Sequence, residues 1–173
     1  MTEFSKAQEP RPGDILLFTK PRRGRDYLIK WVTHSPYYHV ALYAGEGKII
    51  EARPPVVARH DLAGREEGMV VVPAPGGLGK EALAHAEAHL GDQFDKDDMF
   101  VILLDHLIMN LHIKYDPKGK FTCAELIAKV FDEAGLKLFP EKDLDEVVPG
   151  DFARFLPEGA GLPSDAAQLA KGN

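Results

Sequence analysis

Cys123, His39 and Glu51 are the side chains in this sequence whose types and settings suit nucleophilic acyl chemistry. Cys123 is the single cysteine, so no internal disulfide can form, which is compatible with a reducing compartment. It sits in Thr122-Cys123-Ala124-Glu125, the spacing of a helix capping box. Thr122 would accept from the amide of Glu125, and Glu125 would reach back to the amide of Thr122. Cys123 then becomes the first residue of a helix, near unpaired backbone N–H groups and the positive end of the helix dipole. That setting favours the thiolate, which is the nucleophilic form. The same N–H groups could hold an oxyanion forming on an attacked carbonyl. A small buried cysteine with no reactivity fits the position too, because capping boxes mark helix starts in general.

A cysteine nucleophile needs a base, and usually a third group to orient that base. Seven histidines compete for the role. His39 opens a predicted strand directly after Pro36-Tyr37-Tyr38, and a strand holds a side chain more firmly than a loop. Glu51 lies on the return strand of the same predicted hairpin. If Ala44 pairs with Lys48, Ala41 faces Glu51 and His39 faces Arg53. His39 and Glu51 are then diagonal neighbours on one sheet face, roughly 7–8 Å apart at the backbone. A slip of one residue would put them on opposite faces. In the favourable register the carboxylate accepts from one imidazole N–H and leaves the other nitrogen for the thiol, the logic of nucleophile, base and orienter. Equally, Glu51 could pair with Arg53 or a more distant cation, and His39 could be a hydrogen-bonded, partly buried histidine. The residue types alone leave both readings open.

Other polar residues lie close by. Tyr37 and Tyr38 beside the base, and Thr122 beside the cysteine, are candidates for oxyanion or substrate contact; the tyrosines equally suit aromatic packing at a strand start. His85 and His89 have the i, i+4 spacing of metal ligands on a helix, but the run is His85-Ala86-Glu87-Ala88-His89 and no third ligand is evident. A solvated helix face is the expectation there, with no metal and no cofactor.

The elements that must position these groups follow from pattern. Pro12-Gly13-Asp14 is a turn before the apolar strand Ile15-Leu16-Leu17-Phe18. Tyr27 to Val32 predicts a short helix with Leu28, Ile29 and Trp31 on its apolar side. The hairpin follows: His39 to Ala44, a turn at Gly45-Glu46-Gly47, and Lys48 to Ala52. Val56-Val57-Ala58 suits an added strand, and Met69-Val70-Val71-Val72 a further one. Lys80 to Leu90 predicts a helix stopped at Gly91, and Thr122 to Ala134 one closed by Gly135. Between them, Asp97 to about His112 predicts a mostly buried helix whose Met99, Phe100, Leu103 and Leu107 could face a cleft, with core packing the plainer role. Pro149-Gly150-Asp151-Phe152 repeats the turn-then-apolar pattern of the N-terminus. Strands in the first half and helices in the second suggest an α+β fold. The expected organisation is one domain over residues 1–156 and a loose tail over 157–173.

Composition narrows the partners. With 45% hydrophobic residues the chain can bury a core. A net charge of −6 and the lack of a long Lys/Arg run argue against nucleic acid. The stretch Met99 to Ile113 is too short and too polar to span a bilayer, and no apolar leader opens the sequence, so a cytoplasmic location is expected.

Pro12-Gly13-Asp14-Ile15-Leu16-Leu17-Phe18, Tyr38-His39-Val40-Ala41-Leu42-Tyr43-Ala44-Gly45, Gly47-Lys48-Ile49-Ile50-Glu51-Ala52 and Phe121-Thr122-Cys123-Ala124-Glu125-Leu126-Ile127 together resemble the NlpC-type papain-like superfamily. The order is circularly permuted, with the histidine hairpin ahead of the cysteine helix. It is similar to the branch that includes lecithin–retinol-acyltransferase-like proteins. The resemblance implies a small antiparallel sheet or barrel packed on helices, with Cys123 as nucleophile, His39 as base and Glu51 as orienter. Standard members often carry a histidine at the third position, so Glu51 is a departure. The activity implied is hydrolysis of amide (peptide) bonds through a thioester. Acyl transfer, lipid-ester hydrolysis and an inactive peptide- or lipid-binding module are the alternatives. The partner would accordingly be a small peptide, amide or acyl-lipid substrate.

Overall fold

The computed structural model describes residues 9–22, 24–94 and 120–158. The expected helix from Asp97 to about His112 lies outside them, as does most of the expected tail. What is described is an α+β fold. Strands β1 (Ile15–Phe18), β2 (His39–Gly45), β3 (Lys48–Arg53), β4 (Val56–Asp61) and β5 (Met69–Val72) form an antiparallel sheet. Two short strands, β6 (Gln93–Phe94) and β7 (Lys120–Phe121), extend its edge, giving the order β5-β1-β2-β3-β4-β6-β7. The helices are α1 (Gly24–Val32), α2 (Gly79–Ala88) and α3 (Cys123–Glu133). Pro149–Phe155 forms a 3₁₀ helix.

Period-two alternation sorts the strand residues into two apolar clusters. Leu17, Val40, Leu42, Ile50 and Ala52 join Ala82 and Ala86 of α2 and Leu126, Ile127, Val130 and Phe131 of α3 in the main core. Leu16, Phe18, Ala41 and Ile49 join Tyr38 and Leu62 in a second cluster, covered in part by Ile29 of α1. Trp31 departs from its expected place on the packed side of α1: it is 64% exposed, whereas Ile29 packs inward as expected.

The turn ahead of β1 is held from several sides. Gly13 has φ +90° and lies so close to the Gly79 backbone that a Cβ would overlap it. The Asp14 carboxylate accepts from the N–H groups of Arg11 (2.8 Å) and Ala74 (2.9 Å). Leu42 pairs with Ile50 and Tyr43 with Ile49, the register expected from the sequence. The expected Ala44–Lys48 pair is replaced by Gly45–Lys48, because a one-residue irregularity falls between Tyr43 and Gly45. Gly45, Glu46 and Gly47 all have positive φ at this turn. The shift is confined to the turn end, so β3 keeps its faces along the rest of its length. β4 runs on through Arg59, His60 and Asp61 because β3 pairs with it from Arg53 back to Lys48.

The far edge of the sheet leads to the third helix. Val56 of β4 pairs with Gln93 of β6, and Phe94 pairs in parallel with Phe121 of β7. Phe121 is followed by Thr122, the N-cap of α3, so the start of that helix is tied to the sheet that carries the hairpin. Among the described residues, no helix is long and apolar enough to cross a membrane.

Candidate active site

Each expected group is placed by a different element. His39 is the first residue of β2, a strand bonded on both sides. It pairs across the sheet with Phe18, and the adjacent Tyr38 N–H donates to the Phe18 carbonyl at 3.1 Å. Phe18 and Tyr38 flank the imidazole, with ring centroids 5.8 Å and 6.1 Å away. Glu51 sits inside β3 and is fully buried. Its Oε2 lies 2.5 Å from His39 Nε2, so the diagonal contact allowed by the hairpin register is made.

Cys123 opens α3 and is partly buried. The capping box is present in both directions: the Thr122 N–H donates to Glu125 Oε2 at 2.6 Å, and the Glu125 N–H donates to Thr122 Oγ1 at 3.2 Å. The box leaves the N–H groups of Cys123 and Ala124 outside its own bonds, at the end of the helix where the dipole is positive. Cys123 is near enough to His39 to act on the charge of its ring. Nε2 is taken by Glu51, so Nδ1 is the ring nitrogen left for the sulfur.

The electrostatics follow from this geometry. Burial acts to lower the His39 pKa, but the charge and hydrogen bond of Cys123, and then the bond and charge of Glu51, outweigh it and raise it to about 9. Burial acts to raise the Glu51 pKa; the hydrogen bonds and charges of His39 and Arg65 overcome that and hold the carboxyl well below the usual carboxylate range. Burial pushes the Tyr38 phenol up, helped by Asp26 and opposed by Arg65, Arg22 and Arg53, so it stays protonated and able to donate.

Sequence reasoning missed the rest of the Glu51 shell. Arg65 Nη1 donates to Oε1 at 2.7 Å and Nη2 donates to Oε2 at 3.0 Å. Arg53 Nη1 is 3.4 Å and His60 Nδ1 3.2 Å from Oε1. The Arg53 pairing open at the sequence level is therefore present together with the histidine contact. Arg65 lies in the irregular connection after β4, where no periodicity or motif signals a role. A cavity of about 220 Å³ is lined by Phe18, Lys20, Arg22, Tyr38 and Arg65; neither His39 nor Cys123 lines it.

The remaining candidates divide. Tyr37 is packed in the main core, and its hydroxyl is buried with no hydrogen-bond partner. Thr122 is buried, and its hydroxyl oxygen is engaged in the cap. The expected solvated face at His85 and His89 is instead a clasp between helices. His89 bonds Asp92 Oδ2 at 2.7 Å and Glu133 Oε2 at 3.0 Å, and His85 Nδ1 lies 3.6 Å from the same Glu133 oxygen. Glu133 comes from α3, distant in sequence, which is why the local pattern did not show it. Among the described residues, no group of three or more His, Cys, Asp or Glu side chains could hold a metal ion. Compared with known protein families and with curated proteins, the sequence finds no match.

Proposed function

We propose that this chain is a cysteine hydrolase of amide (peptide) bonds with a permuted NlpC-type papain-like core, in which Cys123 is the nucleophile, His39 the base and Glu51 the orienter. The observation that carries the reading is the placement of His39 between a fully buried carboxylate and the cysteine at the head of α3. The raised His39 pKa favours an imidazolium beside the sulfur, the charge state that activates a cysteine for attack.

The steps balance with these groups alone. The Cys123 thiolate attacks the carbonyl carbon, and the N–H groups at the start of α3 hold the oxyanion. The C–N bond breaks as His39 gives its Nδ1 proton to the leaving amine. Water then attacks the thioester and passes a proton back to His39, which releases the acid and restores the thiolate–imidazolium pair. Glu51 keeps Nε2–H engaged throughout, so the ring presents the same nitrogen in both halves.

Cys123→Ala tests the reading. It is expected to abolish turnover of peptide or amide substrates while the far-UV spectrum and melting temperature stay close to wild type, since a partly buried cysteine contributes little packing. Undiminished turnover in the folded variant would end the proposal.

A further inference from the structure

Glu51 is held by more than the histidine it orients. Three side chains and the base itself form a closed ring of contacts. Arg65 grips both oxygens of Glu51, at 2.7 Å and 3.0 Å. Glu51 bonds His39, His39 lies beside Phe18 in register and in ring contact, and the Arg65 guanidinium lies 4.4 Å from the centroid of the Phe18 ring. Among these three neighbours of Glu51, the Arg65 side chain is 10% exposed, whereas those of Arg53 and His60 are 33% and 43% exposed. The Arg65 backbone is also fixed: its N–H donates to the Leu62 carbonyl at 2.9 Å, and the N–H of Leu62 donates to the Gly47 carbonyl at 2.8 Å.

A carboxylate bonded only to an imidazole can rotate about its last torsion and can take up a proton when buried. A two-pronged guanidinium contact removes both freedoms, because the planar fork fixes the plane of the carboxylate and its charge favours the anion. We propose that Arg65 is a positioning residue for the base: it sets the plane and the charge of Glu51, and through Glu51 the ring of His39 that faces Cys123. This rests on the hydrolase reading for its kinetic consequence, but the state of Glu51 can be read without turnover.

The test compares wild type, Arg65→Met and Arg65→Lys in the full chain. The ¹³C carboxyl signal of Glu51, assigned with Glu51→Gln, is followed against pH, and kcat and KM are measured against pH in parallel. In Arg65→Met, Glu51 is expected to take up its proton about one to three pH units higher than in wild type. The acidic limb of the rate profile should move up with it, and kcat should fall about 10- to 100-fold with KM little changed. Arg65→Lys should keep most of the titration behaviour, since it keeps the charge, yet lose part of kcat because it lacks the fork. A purely structural role would lower the melting temperature and leave the Glu51 titration and the rate profile of the folded protein in place; that result overturns the proposal. If the methionine variant does not fold, the lysine variant decides: wild-type kcat in that protein also overturns it. Wild-type protein without activity would remove the hydrolase reading and leave the Glu51 titration to judge Arg65 alone.

Discussion

Glu51 Oε2 lies 2.5 Å from His39 Nε2, with the carboxylate fully buried and the imidazole nearly so, and the two residues come from neighbouring strands of one hairpin. The backbone fixes this contact: the Leu42–Ile50 and Tyr43–Ile49 pairs put both side chains on the same face of the sheet. Burying a carboxylate is costly unless it is paired, and here the pairing extends to Arg65. This polar cluster lies close to a partly buried cysteine at a helix start.

The first prediction concerns pH and rate. The His39 pKa is raised from 6.5 to about 9, so an imidazolium able to protonate a leaving amine persists through neutral pH. The rate constant kcat/KM is expected to hold up to about pH 9 and to fall above it, because the acid is then lost. A rate profile whose alkaline limb falls near pH 6.5 would contradict the assignment.

The same shift has a consequence for stability. A folded-state pKa above the unfolded value means that His39 binds its proton more tightly in the native protein. The stabilisation is complete below about pH 6.5 and is lost as pH rises through about 9. Thermal melts across that window should show wild type losing more of its melting temperature than His39→Gln, by on the order of 5 °C. Parallel curves for the two proteins would count against a charged His39.

Glu51→Gln removes the buried carboxylate and leaves Arg65 without its closest partner. The expected cost is about 3–5 kcal/mol in chemical denaturation, the range seen when one member of a buried pair is lost. The Glu51 pKa is depressed, so wild type draws stability from it above about pH 4.5 and loses that stability as pH falls; the glutamine variant should be flatter over the acid range. An unchanged denaturation midpoint at neutral pH would show that the cluster contributes nothing net.

Thr122→Ala breaks the reciprocal cap at the head of α3. A loss of about 1 kcal/mol is expected. The rate should fall too, because the cap sets where Cys123 begins the helix. Full activity with the lower stability would separate the cap from the chemistry.

Tyr37→Phe makes the opposite prediction. Its hydroxyl is buried without a partner, and such a group costs about 1–3 kcal/mol to bury. The variant should be as stable as wild type or more so, with unchanged kcat/KM. A large loss of kcat would instead give the hydroxyl a part in holding the oxyanion.

Local pattern revealed the parts of the site that local structure decides. The alternation along His39–Ala44 and Lys48–Ala52 sufficed to set the hairpin faces, and Thr122 with Glu125 marked the start of α3. Trp31 escaped because its helix carries apolar residues on more than one side, and the side that packs is chosen by the sheet beneath it. The one-residue irregularity near Ala44 depends on positive φ at consecutive turn residues rather than on hydrophobic pattern. Arg65 and the His89–Glu133 clasp could not be read locally, since each joins segments that meet only when the sheet and helices are assembled.

The most direct measurement follows the acyl group itself. Wild type, Cys123→Ala and His39→Ala are mixed with p-nitrophenyl acetate, quenched in acid at early times, and mapped by mass spectrometry after digestion. A single acetyl group is expected on Cys123 in wild type, formed in a burst and lost on longer incubation. None is expected at that position in the alanine variant, and only slow formation without His39. Release of p-nitrophenol by wild type with Cys123 never acetylated, or acetylation at the same speed without His39, would contradict it.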